Sequence, residues 1–220
     1  MTKLFTAIFA VAVSFATGSA SAQTIQGDAK AGLAINAMCI GCHGIQGYQA
    51  SFPEVYKVPM ISGQNAKYIE AALNAYKKGE RKHPSMRAIA ETLTEKNMAD
   101  LAAYYSDHGV VQKVSATRTA KTPSPEIAAL LTKANCASCH GAAYSNPIDP
   151  SYPKIAGQHA DYLFVALKAY KLENNPKVGR ANAIMASMAK QYTNAELKAL
   201  SGYLSTLEGD LRVVPQSKFR

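Results

Sequence analysis

Apolar residues recur along most of this chain at the three-and-four spacing of an amphipathic helix, and nowhere as a run of alternating strand positions. Ile69, Ala72, Leu73 and Tyr76 form one stripe; Leu163, Ala166, Leu167 and Tyr170 form another. A third consists of Ile127, Leu130, Leu131 and Ala134. Ser124 can cap that helix with Pro125 at its first position, and the helix is expected to run straight into Cys136. Asp28 can open the corresponding helix that leads into Cys39. Thr193-Asn194-Ala195-Glu196 reads as a capping box for the last helix; its earlier counterpart starts at Thr94 and stops at Gly109. The predicted fold class is all-α.

The stripes come in matching pairs. "VPMISGQNAKYIEAALNAYKKGE" begins at Val58 and "YPKIAGQHADYLFVALKAYKLE" at Tyr152. Pro59 matches Pro153, Gly63-Gln64 matches Gly157-Gln158, and Tyr68 and Tyr76 match Tyr162 and Tyr170, all at an offset of 94. "MADLAAYYS" at Met98 faces "LKALSGYLS" at Leu197 at an offset of 99, a drift that loop insertions would produce. The period is far longer than a solenoid repeat, so two tandem domains are expected. "KVSATRTAKTPS", residues 113–124, is polar, without apolar period, and ends in a Pro-Ser-Pro cluster. The expected division is 23–112, a linker 113–124, and 125–220.

The first twenty-two residues, "MTKLFTAIFAVAVSFATGSASA", stand apart. A basic start, an apolar run and small residues before Gln23 form a cleavable signal peptide, too short to span a bilayer. Charges interrupt every later apolar run, so no transmembrane helix is expected in the mature chain. The export signal predicts a periplasmic or otherwise extracytoplasmic location. A composition that is 48% apolar among 220 residues argues for a globular protein. The formal charge of +9, or +8 once Lys3 is removed, favours acidic protein partners or a peripheral hold on an anionic membrane face. Nucleic acid is excluded as a partner by the compartment and by the scatter of the basic residues.

All four cysteines fall in two copies of one pattern, "CIGCH" at Cys39, Cys42 and His43, and "CASCH" at Cys136, Cys139 and His140. On a helix, positions i, i+3 and i+4 share a face, so two thiols and an imidazole address one object. Two thiols can add across the vinyl groups of a haem while the imidazole reaches its iron. A redox dithiol would have no use for the histidine, a zinc site joining both motifs would leave the repeated domains unexplained, and a Cys39–Cys42 disulfide is strained. The reading is two covalently attached haem c groups, one per half. They would also fill what is otherwise a thin core for about ninety residues.

The second axial position on each iron is open to Met38, Met60, Met86, Met98 or His83 in the first half. Met86 lies seven residues before Leu93 and Met185 seven before the equivalent Tyr192, the best-matched pair; Met188 is a second candidate in its half. Met98 aligns with Leu197 and reads as core. His83, His108 and His159 read as surface residues; were His83 the ligand, the first haem would have a much lower potential. The carbonyls of Pro59 and Pro153 are candidate acceptors for the second N–H of each iron-bound histidine, the alternative being ordinary loop prolines.

At this level the chain resembles the di-haem cytochromes c of the cytochrome c4 family, on both C-x-x-C-H motifs, "VPMISGQ" and "YPKIAGQH", Met86 and Met185, and "DLAAYYS" with "ALSGYLS". The resemblance implies two class I cytochrome c domains related by a pseudo-twofold axis, with the haems close across the interface. It further implies His–Met ligation in both and the proline carbonyl accepting from the proximal histidine. Members carry electrons in the periplasm toward terminal oxidases. "PSMRAIAE" departs from the pattern in having Ile89 where the second half has Met188. The expected function is one-electron transfer between an upstream quinol-oxidising complex or dehydrogenase and a terminal oxidase. A cytochrome subunit of a periplasmic dehydrogenase and a di-haem peroxidase are the alternatives.

Overall fold

The structure, a computed structural model, describes residues 25–109 and 121–215. The expected signal peptide, 1–22, and residues 113–120 of the expected linker lie outside them. The first half runs α1 (Ala29–Ile35), α2 (Ala37–His43), β1 (Gln49–Ala50), β2 (Tyr56–Lys57), α3 (Ala66–Lys77), β3 (Arg81–Lys82), α4 (Pro84–Glu91) and α5 (Glu95–Asp107). The second runs α6 (Pro125–Lys133), α7 (Ala137–His140), α8 (Ala160–Lys171), β4 (Gly179–Arg180), α9 (Ala183–Lys190) and α10 (Asn194–Ser205). No helix among the described residues is long and apolar enough to cross a membrane.

The caps form as their residue types dictate. Asp28 accepts from Lys30 N–H and Ser124 from Ile127 N–H, while Thr94/Asn97 and Thr193/Glu196 close capping boxes on α5 and α10. The apolar stripes then stack: α1 and α3 against α5, and α6 and α8 against α10. Ile69, Leu101, Ala102 and Tyr105 form the core of the first half, Tyr144, Ala156, Leu163, Leu204 and Leu207 that of the second. The α1–α5 crossing is close enough that a β-carbon on Gly32 would lie 2.2 Å from the Asp100 carbonyl oxygen.

Two expectations change. The helices leading into the motifs do not run through: α1 stops at Asn36, and α6 stops before Asn135, which takes the left-handed conformation (φ 45°) that asparagine tolerates. Each motif therefore sits on its own short helix, re-aimed relative to the helix before it. Among the described residues the fold also contains four strands of two residues each, too short to leave any alternation in the sequence.

One ladder joins the halves. β3 pairs antiparallel with β4, placing Arg81 opposite Arg180, its own counterpart at an offset of 99. Equivalent residues paired antiparallel define a local twofold axis. A reciprocal clasp repeats that symmetry. Gln64 accepts from Lys154 N–H and donates to Lys154 O, both at 2.9 Å, while Gln158 accepts from Met60 N–H at 3.0 Å and donates to Met60 O at 2.9 Å. Asp161 accepts from Lys57 N–H at 3.0 Å. The last described segment also leaves the second half for the first: Arg212 N–H donates to Ser62 O at 3.0 Å, and Val214 packs over Gly109.

Candidate functional site

Helix α2 carries Cys39, Cys42 and His43 within two turns, and Cys136 caps α7, which carries Cys139 and His140. No disulfide joins any two of the four cysteines. Cys39 packs against the first core, and burial, then the neighbouring Cys42, pushes its thiol up to about 11. Cys136 packs against the second core and is likewise raised by burial. A dithiol redox centre needs a lowered thiol pKa, so these environments argue against one. Among the described residues no three His, Cys, Asp or Glu side chains converge on a metal-ion site, so the motifs do not share a zinc.

Each motif histidine is held in one orientation. His43 Nδ1 lies 2.8 Å from Pro59 O, and His140 Nδ1 lies 2.9 Å from Pro153 O. A carbonyl can only accept, so Nδ1 carries the proton and Nε2 keeps its lone pair. Burial lowers both imidazole pKa values, outweighing the carbonyl bond that favours the charged form. The result is a neutral ring whose Nε2 lone pair could serve a metal.

The methionine-bearing helices are built alike. Met86 and Met185 both occupy the third position of their helices, α4 and α9, and both are half-buried. The Met86 N–H donates to His83 Nδ1 at 3.3 Å, and the Met185 N–H to Asn182 Oδ1 at 2.9 Å. From the other end, Lys77 Nζ donates to Leu93 O at 2.5 Å and Lys171 Nζ to Tyr192 O at 2.7 Å, tying each methionine helix to α3 or α8. The other candidates are engaged elsewhere. Met98 is fully buried in α5 and Met38 is 62% exposed. Met60 lines a cleft between the halves, and the Met188 sulfur faces Gln191 Nε2 at 3.8 Å.

None of the three other histidines is a plain surface residue; all are half-buried with lowered pKa values, burial being the main cause. His83 caps α4, and its ring is within electrostatic reach of His43. His108 faces Ser62 Oγ at 2.9 Å and stacks on Tyr104. The sequence did not mark Gln64 and Gln158 as more than repeat signatures, and did not single out Arg81 and Arg180 at all. Their equal spacing across the two copies was the available signal.

A porphyrin fits this donor set. Half-buried cysteine pairs with no disulfide between them lie beside imidazoles whose Nδ1 alone is hydrogen-bonded, and a β-carbon on Gly41, between the first two cysteines, would meet nothing within 4 Å. Buried side-chain oxygens without a hydrogen-bond partner occur in both halves: Tyr105 Oη, in the core cluster against which Cys39 packs, and Ser145 Oγ, five residues after His140.

The sequence profile of the family described as Cytochrome c matches residues 29–107 and 125–208, one match per half. A cytochrome c4 of Thiocapsa roseopersicina is 30% identical over 197 residues, spanning 82% of this chain and 93% of that protein. A thiosulfate dehydrogenase electron acceptor of Stutzerimonas stutzeri is 26% identical over 178 residues, spanning 77% of this chain and 78% of the relative. The crystal structure of reduced recombinant cytochrome c4 from Pseudomonas stutzeri is similar with a TM-score of 0.61 at 28% identity, over 83% of this chain and 100% of the other. This chain therefore belongs to the cytochrome c family, as a di-haem electron carrier of the cytochrome c4 type with two covalently attached haem c groups.

Proposed function

We propose that the protein is a periplasmic shuttle that takes single electrons from an upstream quinol-oxidising complex or dehydrogenase and delivers them to a terminal oxidase. Cys39 and Cys42 would tether one haem and Cys136 and Cys139 the other; His43 and Met86, and His140 and Met185, would supply the imidazole and thioether donors to the two irons. When bound, each haem supplies an iron that changes charge by one unit. Pro59 and Pro153 lock the imidazoles as neutral ligands, so nothing on that side must move or change protonation when the iron charge changes. His83, Asn182, Lys77 and Lys171 hold the methionine helices in place by their caps and tethers. The single observation that carries the reading is the duplication of one complete arrangement, from His Nδ1 to capped methionine, in two halves joined by a reciprocal interface.

Both halves offer the same imidazole and thioether donors, so neither half stands out as one that would keep a ligand position open, which disfavours a peroxidase. The likeness to a thiosulfate dehydrogenase electron acceptor supports a second reading, in which the donor is a periplasmic dehydrogenase and this chain its cytochrome partner. The signal-peptide reading of residues 1–22 and the positive charge support export and a loose hold on the membrane face. A spectroelectrochemical titration of the mature protein tests the proposal. Two haems per chain, each with a far-red methionine-to-iron band when oxidised, are expected, with reoxidation by oxidase-containing membranes. A single methionine-ligated haem together with rapid peroxide turnover would refute it; tight copurification with a dehydrogenase would favour the second reading.

A further inference from the structure

Arg81 and Arg180 stand opposite each other in the β3–β4 ladder, two like charges in register at the join between the halves. Each donates to a tyrosine of its own half, Arg81 to Tyr68 Oη and Arg180 to Tyr162 Oη, both at 3.0 Å. Each also lies near a second ring, Arg81 at 5.7 Å from the centre of Tyr76 and Arg180 at 5.4 Å from that of Tyr170. All of these partners are phenols, and none is a carboxylate. Among the described residues neither arginine forms an ion pair with a carboxylate.

Like charges directly opposite on paired strands destabilise them, and a buried charge without a counter-charge is costlier still. The field of the pair is visible on its neighbours. Burial would raise the Tyr170 phenol, yet Arg180 and Arg81 together hold it below its ordinary value. Two guanidiniums in register among phenols, with no carboxylate paired to either among the described residues, make a place for an anion. The haems bring one: each carries two propionate carboxylates. The position also suits both sites. Arg81 lies five residues before Met86 and Arg180 five before Met185, and the four tyrosines project from α3 and α8, against which the methionine helices pack.

We propose that Arg81, Arg180, Tyr68, Tyr76, Tyr162 and Tyr170 form one anion cradle shared by both sites, taking a propionate carboxylate from each haem, so that each arginine acts on both haems. The inference rests on the assignment of one haem to each motif. It differs from a local salt bridge in its reach: a guanidinium contributed by one half changes the electron affinity of the haem in the other. It also makes the ladder between the halves depend on haem loading, because the two arginines repel each other until the carboxylates arrive.

The test uses holoprotein carrying Arg180→Gln, Arg81→Gln or Arg180→Lys. Haem is counted by alkaline pyridine spectra, and the two midpoint potentials are resolved by the separate paramagnetic NMR signals of the two haems. Removing a positive charge favours the ferric state. Each Gln variant, with two haems retained, is expected to lower both potentials, by at least about threefold in each haem's reduced-to-oxidised ratio at fixed ambient potential. Arg180→Lys, which keeps the charge and folds with the least disturbance, restores most of that shift. A shift confined to the haem of the substituted half overturns the shared cradle, as does a fall in melting temperature with both potentials unmoved. Wild-type potentials that track inorganic phosphate concentration would assign the site to a free anion and also overturn it. Fewer than two haems in the wild-type chain would instead refute the reading of the motifs.

Discussion

Replacing Gln64 by leucine removes one arm of the reciprocal clasp while keeping most of the side-chain volume. Gln64 is 4% exposed, so water does not simply take its place. Three backbone groups lose their partner: the N–H and C=O of Lys154 across the interface, and the Asn65 N–H beside it. A buried polar group left unpaired costs about 1–3 kcal/mol, the lower end applying to partly buried groups such as these. The added apolar burial returns roughly 1 kcal/mol. The net loss is about 2–3 kcal/mol. It is paired with a displaced effect, because Lys154 follows Pro153, whose carbonyl holds His140. A substitution in the first half thus reaches the histidine of the second. Urea unfolding followed by far-UV circular dichroism measures the first effect, and the NMR signals of the two haems the second. A loss below about 0.5 kcal/mol, or spectral changes confined to the first-half haem, would refute the reasoning.

Other outcomes follow from single contacts. Met185→Leu abolishes the far-red band of one haem and leaves the other, whereas Met188→Leu leaves both; optical spectra of the oxidised variants decide. Asp100 accepts from Lys96 and from Asp28 N–H, which hold its carboxyl below the usual value. Its contribution is complete above the unfolded pKa of about 3.9 and fades as pH falls through the lower folded value. Asp100→Asn therefore costs about 1–2 kcal/mol at neutral pH and progressively less in acid, read from urea midpoints at both ends. Gly63 has φ +84°, and a β-carbon there would lie 2.3 Å from the Asp210 carbonyl oxygen. Gly63→Ala should cost at least about 2 kcal/mol and free the 208–215 segment, seen as faster tryptic cleavage at Arg212.

Much of this protein could be read without coordinates because its signals are local. A capping box needs four residues, an amphipathic stripe about eight, and the thiol–imidazole motif five; each works within a turn or two of helix. Duplication then multiplied every weak signal, since a methionine or proline recurring at the same place in both copies is not accidental. The left-handed Asn135 and the buried Asn36, which break the leading helices, escaped because asparagine is tolerated in a helix as well as at its ends. His83 passed for a surface residue because its role as a cap depends on which side of α4 the chain enters.

From residue order alone came the all-helical class, the two copies, the two motifs and the candidate ligands, all of them consequences of contacts between near neighbours in the chain. How the copies meet was decided only in three dimensions. The Gln64–Gln158 clasp, the Arg81–Arg180 ladder and the 208–215 strap join residues 90 or more positions apart or cross from one half to the other. Such pairings carry no periodicity, because they are selected by the shape and charge that remain exposed after each half has folded.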